Sequence, residues 1–367
     1  MIVDVIDHVD GFDAVRSEWD HAASANLDTN VFLTWEWLRT WWRHFGQRSS
    51  RTRLHLVVVR DDDGLVAAAP LFRARRGIGP LWATLLQQVS FDAGDYGGIL
   101  LVRRDQDAVD ALLSHLADQI EQAGVRIVVL SRLASDSAFL DHLHERLPDH
   151  GRLAASVNAV ADPICPYIDV RAGFDLRQRR KKNRVPQRMA KLRRHHDTTF
   201  EYHTGPTLEP GIDALVDIHR RRWADRPDEP TGLLSDPATE AFLRDALRAV
   251  DARGWLRLLT LRADGRPIAT RLDLEYGGRN YMLKHAIDPD FTAFSPGHLI
   301  HHQAFEDGIA RGIDEFDFLR GDDDYKRRWT NRERHLVAVT LSRHGPAGRR
   351  ARHRARLARR IDRGRAH

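Results

Sequence analysis

Apolar residues recur along this chain with two spacings, and their alternation sets out the elements. Ile2–Ile6 predicts a short strand, and a helical spacing follows near Phe12–Ala23. Leu38, Trp41, Trp42 and Phe45 fall at i, i+3, i+4 and i+7, with Thr34 placed to cap that helix and Gly46 to end it. Arg53–Arg60 and Leu65–Arg73 predict two strands joined by the turn Asp62-Asp63-Gly64. After a Gly/Pro-interrupted loop, Tyr96–Val102 predicts another strand. Val109, Leu112, Leu113, Leu116 and Ile120 mark a helix stopped at Gly124. Val125–Leu130 then predicts a buried strand, Ser137–Leu147 a helix and Leu153–Val160 a strand.

The second half gives the same order. Thr199–His203 predicts a strand, and Ile212, Leu215, Val216, His219 and Trp223 define a helix. Phe242, Leu243, Ala246, Leu247 and Val250 define the next. Trp255–Leu261 and Pro267–Tyr276 form a hairpin through Asp264-Gly265, and Gly277-Gly278 turns into Arg279–Ile287. A helix from Pro296 to Arg311, a strand at Glu315–Phe318, a short helix over Asp323–Asn331 and a strand at His335–Leu341 complete it. Both halves therefore run β-α-α-β-β-β-α-β-α-β. The pattern predicts a duplicated α/β domain with a mixed sheet, divided as 1–165 and 166–345, with Pro163 to Gly173 as the join and 346–367 as a tail.

Composition narrows the class. Hydrophobic residues make up 42% of the 367, a globular value that excludes wholesale disorder. The longest run free of polar residues, Leu65 to Phe72, is far short of the ~18 that span a bilayer. Met1 to Asp10 is acidic and lacks a basic n-region, so no secretory signal is expected there. Cys165 is the single cysteine, which excludes an intramolecular disulfide and a Cys-based zinc cage. These features lead to an expectation of a cytoplasmic protein, in one version peripheral to the inner face of the membrane.

Charge is concentrated. The net charge is +5, yet residues 343–367 hold ten Arg against one Asp, and Arg171 to Arg194 holds eleven Lys and Arg against Asp175. Two cationic segments thus sit on an otherwise acidic protein and can attract phosphate-rich partners. Arg171–Arg194 predicts a helix over most of its length, kinked at Pro186. It is a candidate contact for a nucleotide-linked or tRNA-borne substrate, and Arg349–Arg365 for RNA or an anionic membrane surface.

Four stretches carry a family resemblance. They are Phe32-Leu33-Thr34-Trp35-Glu36-Trp37-Leu38, Asp95-Tyr96-Gly97-Gly98, the basic stretch Arg179 to Arg194, and Ser295-Pro296-Gly297-His298-Leu299 followed by Asp317-Phe318-Leu319-Arg320-Gly321-Asp322-Asp323-Asp324-Tyr325-Lys326. With the doubled element order, they resemble the tandem GNAT acetyltransferases of cellulose or other polysaccharide biosynthesis. The Fem-type peptidoglycan cross-bridge ligases share that doubled architecture. The resemblance implies two tandem GNAT-like domains, the first degenerate, with acetyl-CoA or another acyl-CoA as co-substrate and no metal. It also implies an amine acceptor, small or sugar-linked, between the two domains.

Residue types fit that chemistry. Ser295 is placed to cap a helix, Pro296 lacks an N–H that would be orphaned anyway, and Gly297 leaves backbone uncovered for a pyrophosphate. His298, Arg320 and Lys326 join Ser295 and Gly297 as candidate donor contacts. The resemblance makes Tyr325 the candidate general acid. Candidate bases are His285, on a strand face with Tyr281, Leu283 and Ile287, and Asp317, between Phe316 and Phe318. His285 reads equally as a core histidine, and Asp317 as a structural carboxylate paired with Arg320 or Lys326. His298, His301 and His302, with His195-His196, read as surface histidines rather than a zinc site. Two alternatives to acyl-CoA-dependent N-acyl transfer remain: a Fem-like transferase using aminoacyl-tRNA, and a non-catalytic scaffold tethered by the basic tail.

Overall fold

The computed structural model describes residues 1–76, 82–90, 92–148, 150–223 and 236–346. The basic tail Arg349–Arg365 lies outside the described residues. The chain divides into two compact units, one built from Met1–Pro163 with the residues from Arg334 on, the other from Ile164–Glu333. The segment 334–345, expected at the end of the second domain, thus belongs to the first unit.

The first repeat runs β1 (Ile2–Ile6), α1 (Val9–Ala14), α2 (Arg16–Ala25), α3 (Trp35–Trp41), β2 (Thr52–Asp61), β3 (Gly64–Arg76), β4 (Ala83–Gln88), β5 (Leu100–Leu101), α4 (Gln106–Glu121), β6 (Val125–Ala134), α5 (Ala138–Arg146) and β7 (Leu153–Asp169). The second runs α6 (Leu176–Lys182), α7 (Val185–Arg193), β8 (Thr198–His203), α8 (Leu208–Trp223), α9 (Pro237–Asp251), β9 (Leu256–Ala263), β10 (Arg266–Tyr276), β11 (Arg279–Ile287), α10 (Pro296–Ala310), β12 (Glu315–Asp317), α11 (Asp324–Arg327) and β13 (Arg332–Arg343). Each repeat's last strand joins the other repeat's sheet. β13 pairs antiparallel with β6, Val339 opposite Leu130, and β7 pairs antiparallel with β12, Ile168 opposite Phe316. The expected join at Pro163–Gly173 is therefore continuous strand as far as Asp169.

The first unit's core lies between the β2–β3–β6 face and α4, whose Leu112, Leu113 and Leu116 are fully buried. The Trp-rich stretch is structural. Trp19 Nε1 donates to Leu33 O at 2.9 Å, Trp35 Nε1 to Phe12 O at 3.0 Å and Trp37 Nε1 to Ser90 Oγ at 2.7 Å. Buried indoles require such acceptors. Thr34 precedes α3 but does not cap it; its hydroxyl donates to Val31 O. In the second unit α10 packs on β9, β10 and β11 through Leu299, Ile300 and Phe305.

The basic stretch is two helices. Arg184 adopts φ +53° between α6 and α7, and Pro186 sits in the first turn of α7, where a missing N–H costs no hydrogen bond. The proline starts a helix instead of kinking one.

Each unit contains a parallel pair of strands that separates. In the first unit β4 pairs with β6 over Thr84–Gln87 against Val125–Val129, then ends at Gln88 while β6 continues to Ala134. Sequence periodicity misses β4 and assigns Tyr96–Val102 to a strand. Only Leu100–Leu101 is strand, and the loop before it fills the separation. Gln88 Oε1 accepts from Ser131 N–H at 2.6 Å and Gln88 Nε2 donates to Gly98 O at 2.9 Å. Gly97 N–H donates to Arg132 O at 2.9 Å. The loop replaces the ladder that the parting strands lose, so polar backbone there stays satisfied.

Gly97 is fixed by this closure. A Cβ there would lie 2.0 Å from Ser131 O, which is backbone and cannot swing away. Gly97→Ala is expected to destabilise the first unit by about 1–3 kcal/mol, the range for overpacking a filled site. A denaturant midpoint equal to wild type would show that the loop does not hold the strands.

Candidate active site in the second unit

The corresponding separation in the second unit is between β11 and β12. They pair over Arg279–Tyr281 against Glu315–Asp317. β12 stops there, whereas β11 continues to Ile287. Past this point β11 presents His285, which meets two rings from other elements. His285 and His301 of α10 have centroids 5.2 Å apart, and His285 and Tyr325 of α11 are 5.0 Å apart. Tyr325 stacks on His301 at 5.8 Å with 15° between planes. Two expected proton carriers, His285 and Tyr325, and an unexpected one, His301, thus form one cluster beside the opening.

Burial, with neighbouring charge second, sets their protonation. Burial, then Arg222, Arg271, Lys284 and Lys326, depresses the His285 pKa to about 3. Burial and the Arg271 guanidinium hold His301 well below the usual imidazole value. Both are neutral at pH 7. Burial, reinforced by Asp323, pushes the Tyr325 phenol well up, so it keeps its proton.

Behind them lies a buried ion pair that sequence inspection missed. Arg271 of β10 is fully buried, stands opposite His285 in the sheet register, and pairs with Asp273 at 2.8 Å. It also donates to His301 Nδ1 at 3.0 Å and to Asn280 Oδ1 at 3.3 Å. Arginine only donates, so His301 Nδ1 must accept and the imidazole proton resides on Nε2. Phe305 packs against the guanidinium face at 4.7 Å. The sequence signal was an Arg-x-Asp pair inside an apolar strand, which must be paired to be buried.

The other expected residues are placed differently. Asp317 is fully buried, and its Oδ1 accepts from Leu319 N–H at 2.7 Å, where Leu319 takes φ +56°. It shapes the turn leaving β12. Lys326 is also buried; its ammonium donates to Arg320 O at 2.6 Å and lies 3.6 Å from Asp323, so it fastens that same turn. Arg320 is half-buried on the turn.

Ser295 does not cap α10. It takes φ +53° and ψ 52°, and its side chain makes no cap bond, because it also ends the preceding turn Pro289–Phe294. Gly297 is buried against β11, where a Cβ would meet Ile287 Cδ1 at 2.6 Å. His298 is half-buried beside Trp329, with ring centroids 5.8 Å apart. His301 and His302 are buried rather than surface histidines, since α10 turns them toward the sheet and α6. Among the described residues no group of three or more His, Cys, Asp or Glu is placed to hold a metal. No described helix is long and apolar enough to cross a membrane.

Residues 179–327 match the family model of an acetyltransferase (GNAT) domain. The fold is similar to that of FemX at TM-score 0.64 and 12% identity, covering 93% of this chain and 97% of that one. It is also similar to the C-terminal domain of a putative lysylphosphatidylglycerol synthetase from Agrobacterium fabrum, at TM-score 0.55 and 12% identity, covering 95% and 96%. A conserved protein of unknown function from Bacteroides thetaiotaomicron gives 0.59 at 12% identity, covering 93% and 100%. No curated protein matches the sequence. Within the second unit, residues 179–327 are thus similar to a GNAT acetyltransferase domain, and the chain as a whole has a mixed α/β fold similar to that of FemX.

Arg271→Leu leaves Asp273 buried without its cation and is expected to cost about 3–5 kcal/mol, whereas Arg271→Leu with Asp273→Leu recovers most of it. Equal losses in both variants, measured by denaturant unfolding, would show the pair is not the source. Stability is also expected to fall as pH drops from about 6.5 toward 4. Unfolded imidazoles bind protons there, while His285 (about 3) and His298 (about 4) in the folded chain do not. The slope is at most about 1.4 kcal/mol per pH unit per histidine, and His285→Asn should flatten it.

Proposed function

We propose that the second unit transfers an acetyl or other acyl group from acyl-CoA to an amine. The observation that carries this reading is the separation of β11 from β12 with a protonated phenol and neutral imidazoles beside it. In this mechanism the thioester carbonyl lies against the free edge of β11, whose N–H stabilises the oxyanion as the amine attacks. Tyr325 then gives its proton to the departing thiolate. His285 takes the proton of the attacking ammonium. Burial and then four nearby cations suppress its basicity in the free protein, and the donor's phosphates would offset the cationic part. The first turn of α10 supplies backbone N–H groups for the donor's pyrophosphate.

A second reading, transfer from aminoacyl-tRNA, is favoured by one feature. α6 has no buried residue, and Gln178, Arg179, Lys181 and Lys182 line an open cavity of about 590 Å³. That surface suits a phosphate backbone. Activity that survives RNase excludes this reading.

Acetyl-CoA at 100 times its Kd is expected to add about 2.7 kcal/mol, a few degrees in midpoint. Absence of a shift with acetyl-CoA, longer acyl-CoAs and free coenzyme A would reject the acyl-CoA donor. Tyr325→Phe should lower kcat about 100-fold with donor affinity unchanged. Because burial raises the phenol, the alkaline limb of kcat from this group should lie above pH 10. An unaltered kcat removes Tyr325 from the chemistry.

A further inference from the structure

Three side-chain nitrogens without hydrogen-bond partners, two of them obligate donors, gather where α7, α10 and the turn after α11 meet. Arg188 Nη1, His298 Nδ1 and Trp329 Nε1 are each buried with no hydrogen-bond partner. The arginine and indole nitrogens are obligate donors, and the imidazole nitrogen becomes one in the tautomer that places its proton there. The rings of His298 and Trp329 are 5.8 Å apart, and Arg188 acts directly on the charge of His298. An unsatisfied buried donor costs about 1–3 kcal/mol, so two obligate donors beside an unpartnered imidazole nitrogen call for an acceptor.

Position explains how an arginine reaches this place. Val185 and Leu192 are the buried residues of α7. Arg188 lies at i+3 from Val185 and i+4 before Leu192, on the same helix face. The charges that bear on it are Arg328 and Arg184, both cationic, which together with burial pull its pKa below the usual guanidinium value. Arg328 also lowers His298. Arg179 holds the Arg328–Thr330 backbone in position by donating to Arg328 O at 3.1 Å and Thr330 O at 3.0 Å. The site is therefore built, rich in donors, and short of negative charge.

We propose that Arg188, His298 and the indole N–H of Trp329 form a phosphoryl-binding site, which, on the acyl-CoA reading above, holds a phosphate of the donor. Arg184 and Arg328 supply the surrounding field. The site differs from the helix start at Gly297 in using side chains, one of them from a helix that precedes the first strand of the repeat. A phosphate accepts all three N–H groups at once and relieves the repulsion among the three guanidinium groups.

The test is calorimetric titration of the full chain with coenzyme A, dephospho-coenzyme A, adenosine 3′,5′-bisphosphate and inorganic pyrophosphate. Arg188→Gln removes the charge, and Trp329→Phe keeps the ring and removes only the N–H. Both variants are expected to weaken coenzyme A binding about tenfold or more. A wild-type preference for coenzyme A over its dephospho form assigns the site to the 3′-phosphate; equal affinities with pyrophosphate binding assign it to the diphosphate. If coenzyme A binds both variants as tightly as wild type, the site is wrong and the donor reading stands. If wild type ignores coenzyme A but binds pyrophosphate in an Arg188-dependent way, the site stands and the donor reading falls. Binding of none of the four probes overturns the site.

Discussion

A parallel ladder that stops early is the constraint on which both units depend. Two strands that part must leave backbone donors and acceptors along the opening, and these must be satisfied or used. The first unit satisfies them from its own chain. Gln88 bridges to Ser131 and Gly98, and Gly97 enters so closely that no side chain fits. In the second unit β11 passes through Pro289–Phe294 directly into α10, with no corresponding loop insertion among the described residues. Its opening is flanked instead by His285 and Tyr325. The loop around Gly97 spans the opening in one repeat, whereas His285 and Tyr325 stand beside it in the other.

Charge around the opening follows from burial rather than from any single catalytic pair. Arg271 is tolerated in the sheet because Asp273, Asn280 and His301 satisfy its guanidinium and Phe305 covers its face. Once present, it fixes the His301 tautomer and helps keep His285 neutral. The surroundings of the two imidazoles are therefore buried and cationic.

Much of this was legible in the sequence. Strong periodicity located the helices at Val109–Ile120 and Phe242–Val250, and the hairpin turns at Asp62–Gly64 and Asp264-Gly265. The grouping of His285 with Tyr325 was also within reach, since both sit next to the same strand opening. Other features were not. β4 carries Gln87 and Gln88 at its end, polar residues buried by tertiary bonds that no local pattern predicts. Ser295 reads as a cap by residue type, but the preceding turn dictates its left-handed backbone. Asp317 reads as a base because it is a carboxylate among aromatics; its geometry spends one oxygen on Leu319 N–H. His301 falls at a spacing that looks like surface, and only packing of α10 against β10 buries it.

The basic stretch shows how composition and placement differ. Eleven cations between Arg171 and Arg194 suggest a solvated face, and α6 is one. The break at Arg184 gives α7 a different role. By ending α6 and letting Pro186 restart the helix, it sets the rotation at which Val185 and Leu192 face inward. Arg188 lies between them on that face, half-buried, with its Nη1 out of solvent. A continuous helix through residue 184 would have had one rotation throughout, with no means of setting the α7 face independently of α6. The left-handed residue thus separates a surface role from a buried one within a single run of like charges.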